Sequence, residues 1–212
     1  MPAQVSIPIF PLPDFTLFPH TMLPLHIFEA RYRAMITDCL SRDKRLAVVG
    51  LKPGYEASYE GKPPVYMVCG VGRIVQWERL ASGRFNLLLR GDGRVRIDRE
   101  LPTDTLYRMV AATPLGETGA DGVAVPALTG RVKGRCQQIL SALGRSNEDL
   151  LTMMEGLDQP AELCDQVASA LIPTPATRQA LLEELDVERR LERLVGALDA
   201  LLSQLTGEGG RA

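Results

Sequence analysis

The sequence predicts an α+β protein, a β-rich N-terminal barrel with one inserted helix followed by a C-terminal helical bundle subdomain. Three observations carry this. Up to about residue 115, short apolar runs alternate with turn residues, and glycines interrupt one run from within. Such glycines mark bulges or sharp bends, the device that curls a sheet on itself. After residue 126 the apolar spacing changes from two to three and four, the period of a helix. Between the two lies Pro114-Leu-Gly-Glu-Thr-Gly-Ala-Asp-Gly-Val-Ala-Val-Pro126, a stretch rich in Gly and Pro. We therefore expect a barrel over 1–115, a linker over 116–125, helices over 126–206 and a disordered tail over 207–212.

Taken in order, residues 5–25 place five prolines among aliphatic and aromatic side chains. Proline donates nothing to a sheet ladder, so short edge-like strands joined by rigid turns are expected. Glu29 to Leu40 reads as the inserted helix, with Tyr32, Met35, Ile36, Cys39 and Leu40 on one face. Strands follow at Leu46–Leu51 and at Val65–Trp77, the latter interrupted by Gly70 and Gly72. Ala81-Ser-Gly83 predicts a hairpin turn into Arg84–Arg90, and Gly91-Asp-Gly93 a second turn into Arg94–Arg99. In that last strand Val95 and Ile97 take one face and Arg94, Arg96 and Asp98 the other. Tyr107–Thr113 closes the set. In the second half, helices are expected near 126–143, 148–156, 160–172, 175–185 and 187–205. Pro160 and Pro175 suit first-turn positions, with Thr174 as an N-cap. Val187, Leu191, Leu194, Leu198, Leu201 and Leu205 form an apolar stripe, read either as packing within the bundle or as self-association with a second copy.

The bulk numbers exclude several function classes. The 212 residues carry 24 Lys+Arg against 26 Asp+Glu, a net charge of −2 that gives no support to nucleic-acid binding by bulk electrostatics. The charge is uneven: residues 1–115 are net +4 and the rest net −6. Cys39, Cys69, Cys136 and Cys164 are widely spaced, with no C-x-x-C, and read as reduced core residues of a cytoplasmic protein. The N-terminus lacks a basic leader, so no signal peptide is expected, and no uncharged apolar run is long enough to span a membrane.

Searches for chemistry return little. Gly54 and Gly61-Lys62-Pro63 are too far apart for a phosphate-binding loop, and Pro63 stands where a hydroxyl is required. Gly70-Val-Gly72 lacks the third glycine of a dinucleotide fingerprint. No cysteine or histidine cluster has metal-ligand spacing, and His20 and His26 lie on a proline-rich extended segment. No G-x-S-x-G elbow is present. Hence no catalytic, cofactor or metal residues are assigned.

Two surface features remain. The loop Lys52–Pro64 displays Tyr55 and Tyr59 between turn residues, either as a shallow apolar binding site or as a lid on the barrel core. Arg73, Arg79, Arg84, Arg90, Arg94, Arg96 and Arg99 crowd one strand region. They read as solubilising outward arginines or, with Arg94 and Arg96 at the centre, as an RNA-binding face.

The ordering of short motifs then resembles a known family. Pro11-Leu12, Leu17-Phe-Pro19 and Pro24-Leu25 resemble the opening of the Lon protease N-terminal, substrate-binding domain. Val68-Cys-Gly-Val-Gly-Arg-Ile-Val75 and Leu89-Arg-Gly-Asp-Gly-Arg-Val-Arg-Ile97 are similar to its glycine-containing strands, and Leu163–Ser169 and Gln179–Leu191 to its later helices. The resemblance runs from about residue 5 to 205. It implies a PUA-like pseudobarrel with a helical subdomain, and a module that binds unfolded or apolar polypeptide segments or a partner protein. Lon continues into an ATPase and a Ser-Lys protease module. No P-loop or dyad motif occurs here, so no enzymatic activity is expected of this chain. PUA-like barrels include RNA binders, which keeps RNA binding as the alternative function.

Overall fold

Apolar alternation organises the first half into strands whose two faces feed two separate cores. The computed structural model describes residues 3–59, 61–144 and 156–208, in two compact units, Met1–Gly116 and Glu117–Ala212. The first unit contains β1 (Val5–Leu12), β2 (Met22–Ile27), α1 (Ala30–Leu40), β3 (Arg45–Gly50), β4 (Val68–Arg79), β5 (Phe85–Leu101) and β6 (Met109–Leu115). A short 3₁₀ turn spans Tyr55–Ser58.

The strand order is β2-β5-β4-β3-β1-β6, and β5 also pairs with β6, which closes five strands into a barrel. β2 lies outside the ring, on the first half of β5. Because successive strand residues face opposite ways, each strand is read twice. Ile7, Ile9, Ala47, Val49, Val71, Val95, Ile97 and Val110 fill the barrel interior. Phe10, Leu46, Val48, Ile74 and Leu89 face outward and are covered by α1 through Tyr32, Met35, Ile36 and Cys39.

Three sequence expectations are corrected. β1 is not an edge strand. It lies between β6 and β3, and its prolines are tolerated because the partners divide it: β6 pairs with Val5–Pro8 and β3 with Ile9–Leu12. Gly91-Asp92-Gly93 is not a turn, since β5 runs unbroken through 17 residues. The register between β4 and β5 shifts there, with Val71 opposite Gly93 and Gly72 opposite Gly91, so the motif is a bulge. The glycines admit a close backbone crossing: a Cβ on Gly91 would stand 2.0 Å from the Phe18 carbonyl oxygen, and one on Gly70 1.9 Å from that of Leu17. Finally, residues 102–108 form a loop, and the last strand begins at Met109, not Tyr107.

The second unit contains α2 (Val125–Ala142), α3 (Pro160–Leu171), α4 (Pro175–Glu183) and α5 (Val187–Glu208). The helix expected at 148–156 lies outside the described residues, save its last position. Pro160 and Pro175 open their helices. Thr174 occupies the N-cap of α4, but its side chain makes no capping hydrogen bond. At α5 it is Asp186 that caps, accepting from the Arg189 amide at 3.1 Å. α5 continues through Gly207 to Glu208, two residues into the segment expected to be disordered.

The apolar stripe on α5 is buried over its first four positions, while Leu201 and Leu205 at its end stay half-buried. Val187, Leu191, Leu194 and Leu198 are fully buried, which removes them as a surface for a second copy. Beside them lies a buried charge cluster. The Arg190 guanidinium, 0% exposed, faces Asp165, 1% exposed, at 3.6 Å, donates to the Glu184 carbonyl at 2.9 Å and pairs with Glu117.

All four cysteines are buried and none is in a disulfide. Burial pushes the thiols of Cys39, Cys69 and Cys136 up to about 12. A raised pKa in the folded state contributes stability below the ordinary thiol value and loses it as pH rises. Urea midpoints should therefore fall progressively between pH 9 and 12. A triple Cys→Ala variant should lose part of that slope.

Candidate functional site

Local geometry holds the 52–64 loop against the start of α1. An isolated bridge joins Leu51 to Val65, and the Lys52 amide donates to the Pro64 carbonyl at 2.9 Å, which pinches the neck of the loop. Gly54 takes a left-handed φ of 84°, which turns the chain into the 3₁₀ segment. The Tyr55 and Tyr59 rings then meet at 6.1 Å, tilted by 54°. The Arg31 guanidinium lies 4.6 Å from the Tyr32 ring and 5.7 Å from that of Tyr59, and is itself paired with Glu29 at 2.9 Å.

Between this loop, α1 and the 102–108 loop is a cleft of about 440 Å³. Tyr59, Tyr32, Pro63, Pro102 and Leu106 give it apolar surface, and Arg31, Lys62, Glu100 and Arg108 give it charge. Tyr59 lines the cleft, whereas Tyr55 stands behind it. Both tyrosines are partly exposed.

The charges in the cleft are mostly matched. Arg108 donates to the Pro63 carbonyl at 2.9 Å and pairs with Glu100, which Lys62 also approaches at 3.8 Å. Tyr107 donates to Asp38 at 2.6 Å. Burial, and then this hydrogen bond, push its phenol up to about 12, and burial does the same to Tyr32. Both phenols are therefore neutral donors at physiological pH. Leu106, 69% exposed, stands at the rim.

A nucleophile needs a lowered pKa or an adjacent base, whereas the phenols of Tyr32 and Tyr107 and the thiols of Cys39, Cys69 and Cys136 move the other way. Among the described residues no group of His, Cys, Asp and Glu could hold a metal ion.

The arginine strand does not form the expected face. Arg94 is 3% exposed. It is opposite Gly70, over which Leu17 crosses, so the outer side of the barrel is covered at that point. Arg96 is exposed but faces Asp98 at 3.4 Å. Asp92 receives both Arg73, at 3.6 Å, and Arg90, at 3.3 Å. Interleaved acids thus neutralise much of the strip. Sequence reasoning missed Arg31, Leu106 and Arg108, which come from separate segments and carry no shared motif.

Comparison with known proteins places this architecture. The family model for the ATP-dependent protease La (LON) substrate-binding domain matches residues 6–200, and the chain belongs to that family. Curated relatives include the Lon protease of Xanthomonas oryzae, 25% identical over 198 residues, and that of Escherichia coli K12, 26% identical over 207. These alignments cover 93% and 97% of this chain but only 23% and 26% of the relatives, so the chain spans about a quarter of their length. Two solved structures share the fold. The N-terminal domain of Mycobacterium avium complex Lon protease has a TM-score of 0.74 at 22% identity, covering 92% of this chain and 98% of that one. The Lon N-terminal domain protein from Xanthomonas campestris has a TM-score of 0.62 at 23% identity, with 91% and 98% covered. The chain is thus a substrate-recognition type of module, and the matched region excludes the ATPase and protease parts of its relatives. Among the described residues no helix is long and apolar enough to cross a membrane.

Proposed function

We propose that this chain is a non-catalytic polypeptide-recognition module of the cytoplasm and that the cleft beside Tyr59 receives an apolar segment of an unfolded chain or partner protein. The carrying observation is the cleft itself, with apolar rings and prolines on its walls, an exposed Leu106 at its mouth and matched charges at its rim. Apolar groups bind by leaving water, while a polar rim orients without demanding one sequence. Family membership and four buried cysteines outside any disulfide support the same reading.

The test is fluorescence anisotropy with a labelled, permanently unfolded model protein. Combining Tyr55→Ala with Tyr59→Ala should weaken binding about tenfold, since the Tyr59 ring leaves the cleft wall together with the Tyr55 ring packed behind it. Leu106→Asp should weaken it without changing stability, because that side chain is already in water. Unchanged affinity in both variants would place the site elsewhere.

A further inference from the structure

The first unit leaves one sheet edge open. β3 pairs with β4 only from Arg45 to Val48, opposite Arg73 to Gly70. Past that point, among the described residues, β4 has β5 on one side and no strand on the other. The direction of its free backbone groups follows from two hydrogen bonds. At the hairpin the Leu80 amide donates to the Arg84 carbonyl, and at the far end the Gly91 amide donates to the Thr21 carbonyl on the β2 side. Antiparallel alternation between these points commits Asn86 and Leu88 to β4, through Glu78 and Gln76. The amides and carbonyls of Trp77 and Arg79 therefore point away from β5, into the open edge.

The opposite edge of the same sheet is protected. By the same alternation the outward backbone positions of β2 are Met22, Pro24 and His26, and Pro24 has no N–H to offer. The β4 edge carries no proline between Val68 and Arg79. It also displays apolar surface: Val75 is exposed, and Trp77, 43% exposed, carries the Lys44 ammonium 4.3 Å from its ring.

We infer that the Trp77–Arg79 edge of β4 is a strand-addition site for an extended polypeptide segment that places an apolar residue beside Trp77 and an acidic residue beside Arg79. Only another extended backbone complements a row of free amides and carbonyls at sheet spacing. The face holding Trp77 is flanked by Lys44 and Arg79, so the incoming side chains there are apolar and acidic. A second copy fits less well. Antiparallel self-pairing in the register that sets Trp77 against Arg79 puts Glu78 directly against Glu78, the register that sets Arg79 against itself repeats the clash with positive charge, and the register that sets Trp77 against itself puts Val75 rather than an acid opposite Arg79. The inference rests on the polypeptide-binding reading and adds to it how a segment is held outside the cleft.

The experiment uses the whole chain and a short peptide of alternating valine and threonine, with one central phenylalanine and an aspartate two residues to either side of it, so that one acid meets Arg79 in either strand direction. Amide exchange followed by NMR should show Trp77 and Arg79 unprotected in the free protein and slowed at least tenfold with peptide. N-methylating the peptide at alternate positions should weaken binding about tenfold in one parity and hardly at all in the other, because only one parity faces β4. Equal affinity for both methylated series, or bound peptide without protection of those two amides, overturns the edge site while leaving polypeptide recognition standing. Loss of binding to every unfolded chain overturns both. Protection of Trp77 and Arg79 that rises with protein concentration in the absence of peptide gives the edge to a second copy and also overturns the inference.

Discussion

Replacing Arg190 with leucine is expected to destabilise the helical unit by roughly 3–5 kcal/mol, the usual cost of removing one partner from a buried ion pair. The guanidinium is fully buried and faces an equally buried Asp165 at 3.6 Å. Without it the carboxylate is left uncompensated in a low-dielectric site, and the Glu184 carbonyl and Glu117 also lose a donor. Desolvation opposes the charge on Arg190, while Asp165 and then its other neighbours more than offset that and hold its pKa above the ordinary value. The measurement is urea unfolding followed by far-UV circular dichroism, which is weighted towards helix. Trp77 is the sole tryptophan and lies in the first unit, so its fluorescence should report little change. Adding Asp165→Leu should recover much of the loss, since apolar packing in place of a whole buried pair is often neutral or better. A single-variant loss below about 1 kcal/mol, the size of an ordinary substitution, would mean that the cluster is not held as described.

The second large effect belongs to the barrel. Gly91→Ala and Gly70→Ala should each cost about 3 kcal/mol or more, beyond ordinary overpacking, because the obstruction is backbone. The added methyl would lie 2.0 Å from the Phe18 carbonyl oxygen in the first case and 1.9 Å from that of Leu17 in the second. Neither oxygen belongs to a flexible side-chain end that could swing aside. The 17–18 segment would have to lift off, and with it Leu17 and Phe18, both buried. Gly93→Ala is the control. Its nearest neighbour would be Val71 Cγ1 at 3.9 Å, an ordinary contact, so Trp77-detected unfolding should stay close to that of the unaltered chain. If Gly93→Ala and Gly91→Ala behave alike, the crossing is not what fixes these glycines.

These cases show what the sequence makes legible. The face of α1, Tyr32, Met35, Ile36 and Cys39, is readable because a helix imposes its period on its own residues. The alternation of Val95 and Ile97 is readable for the same reason in a strand. Gly91-Asp92-Gly93 misleads because bulge and turn ask for the same residue types, and only the Phe18 backbone crossing it, more than seventy residues away in the chain, distinguishes them. Arg94 misleads in a related way. Alternation correctly puts it outside the barrel, but outside is not solvent where another segment passes. Of the cleft, Tyr59 was visible from a turn-rich loop. Arg31, Leu106 and Arg108 were not, because what unites them is the closure of the barrel rather than proximity along the chain.

That closure sets a timetable for biosynthesis. β1 holds Val5 against Ala112 and Ile7 against Val110, so the first strand made completes its pairing only with the last strand of the unit. Contacts of such sequence separation form slowly and late. While the chain is still emerging, Ile7 and Ile9 have no finished interior to enter, and the half of β1 that binds β6 is an unpaired edge. A nascent chain arrested before residue 109 should therefore be sensitive to protease and to chaperones, and one released a few residues after 115 should be resistant.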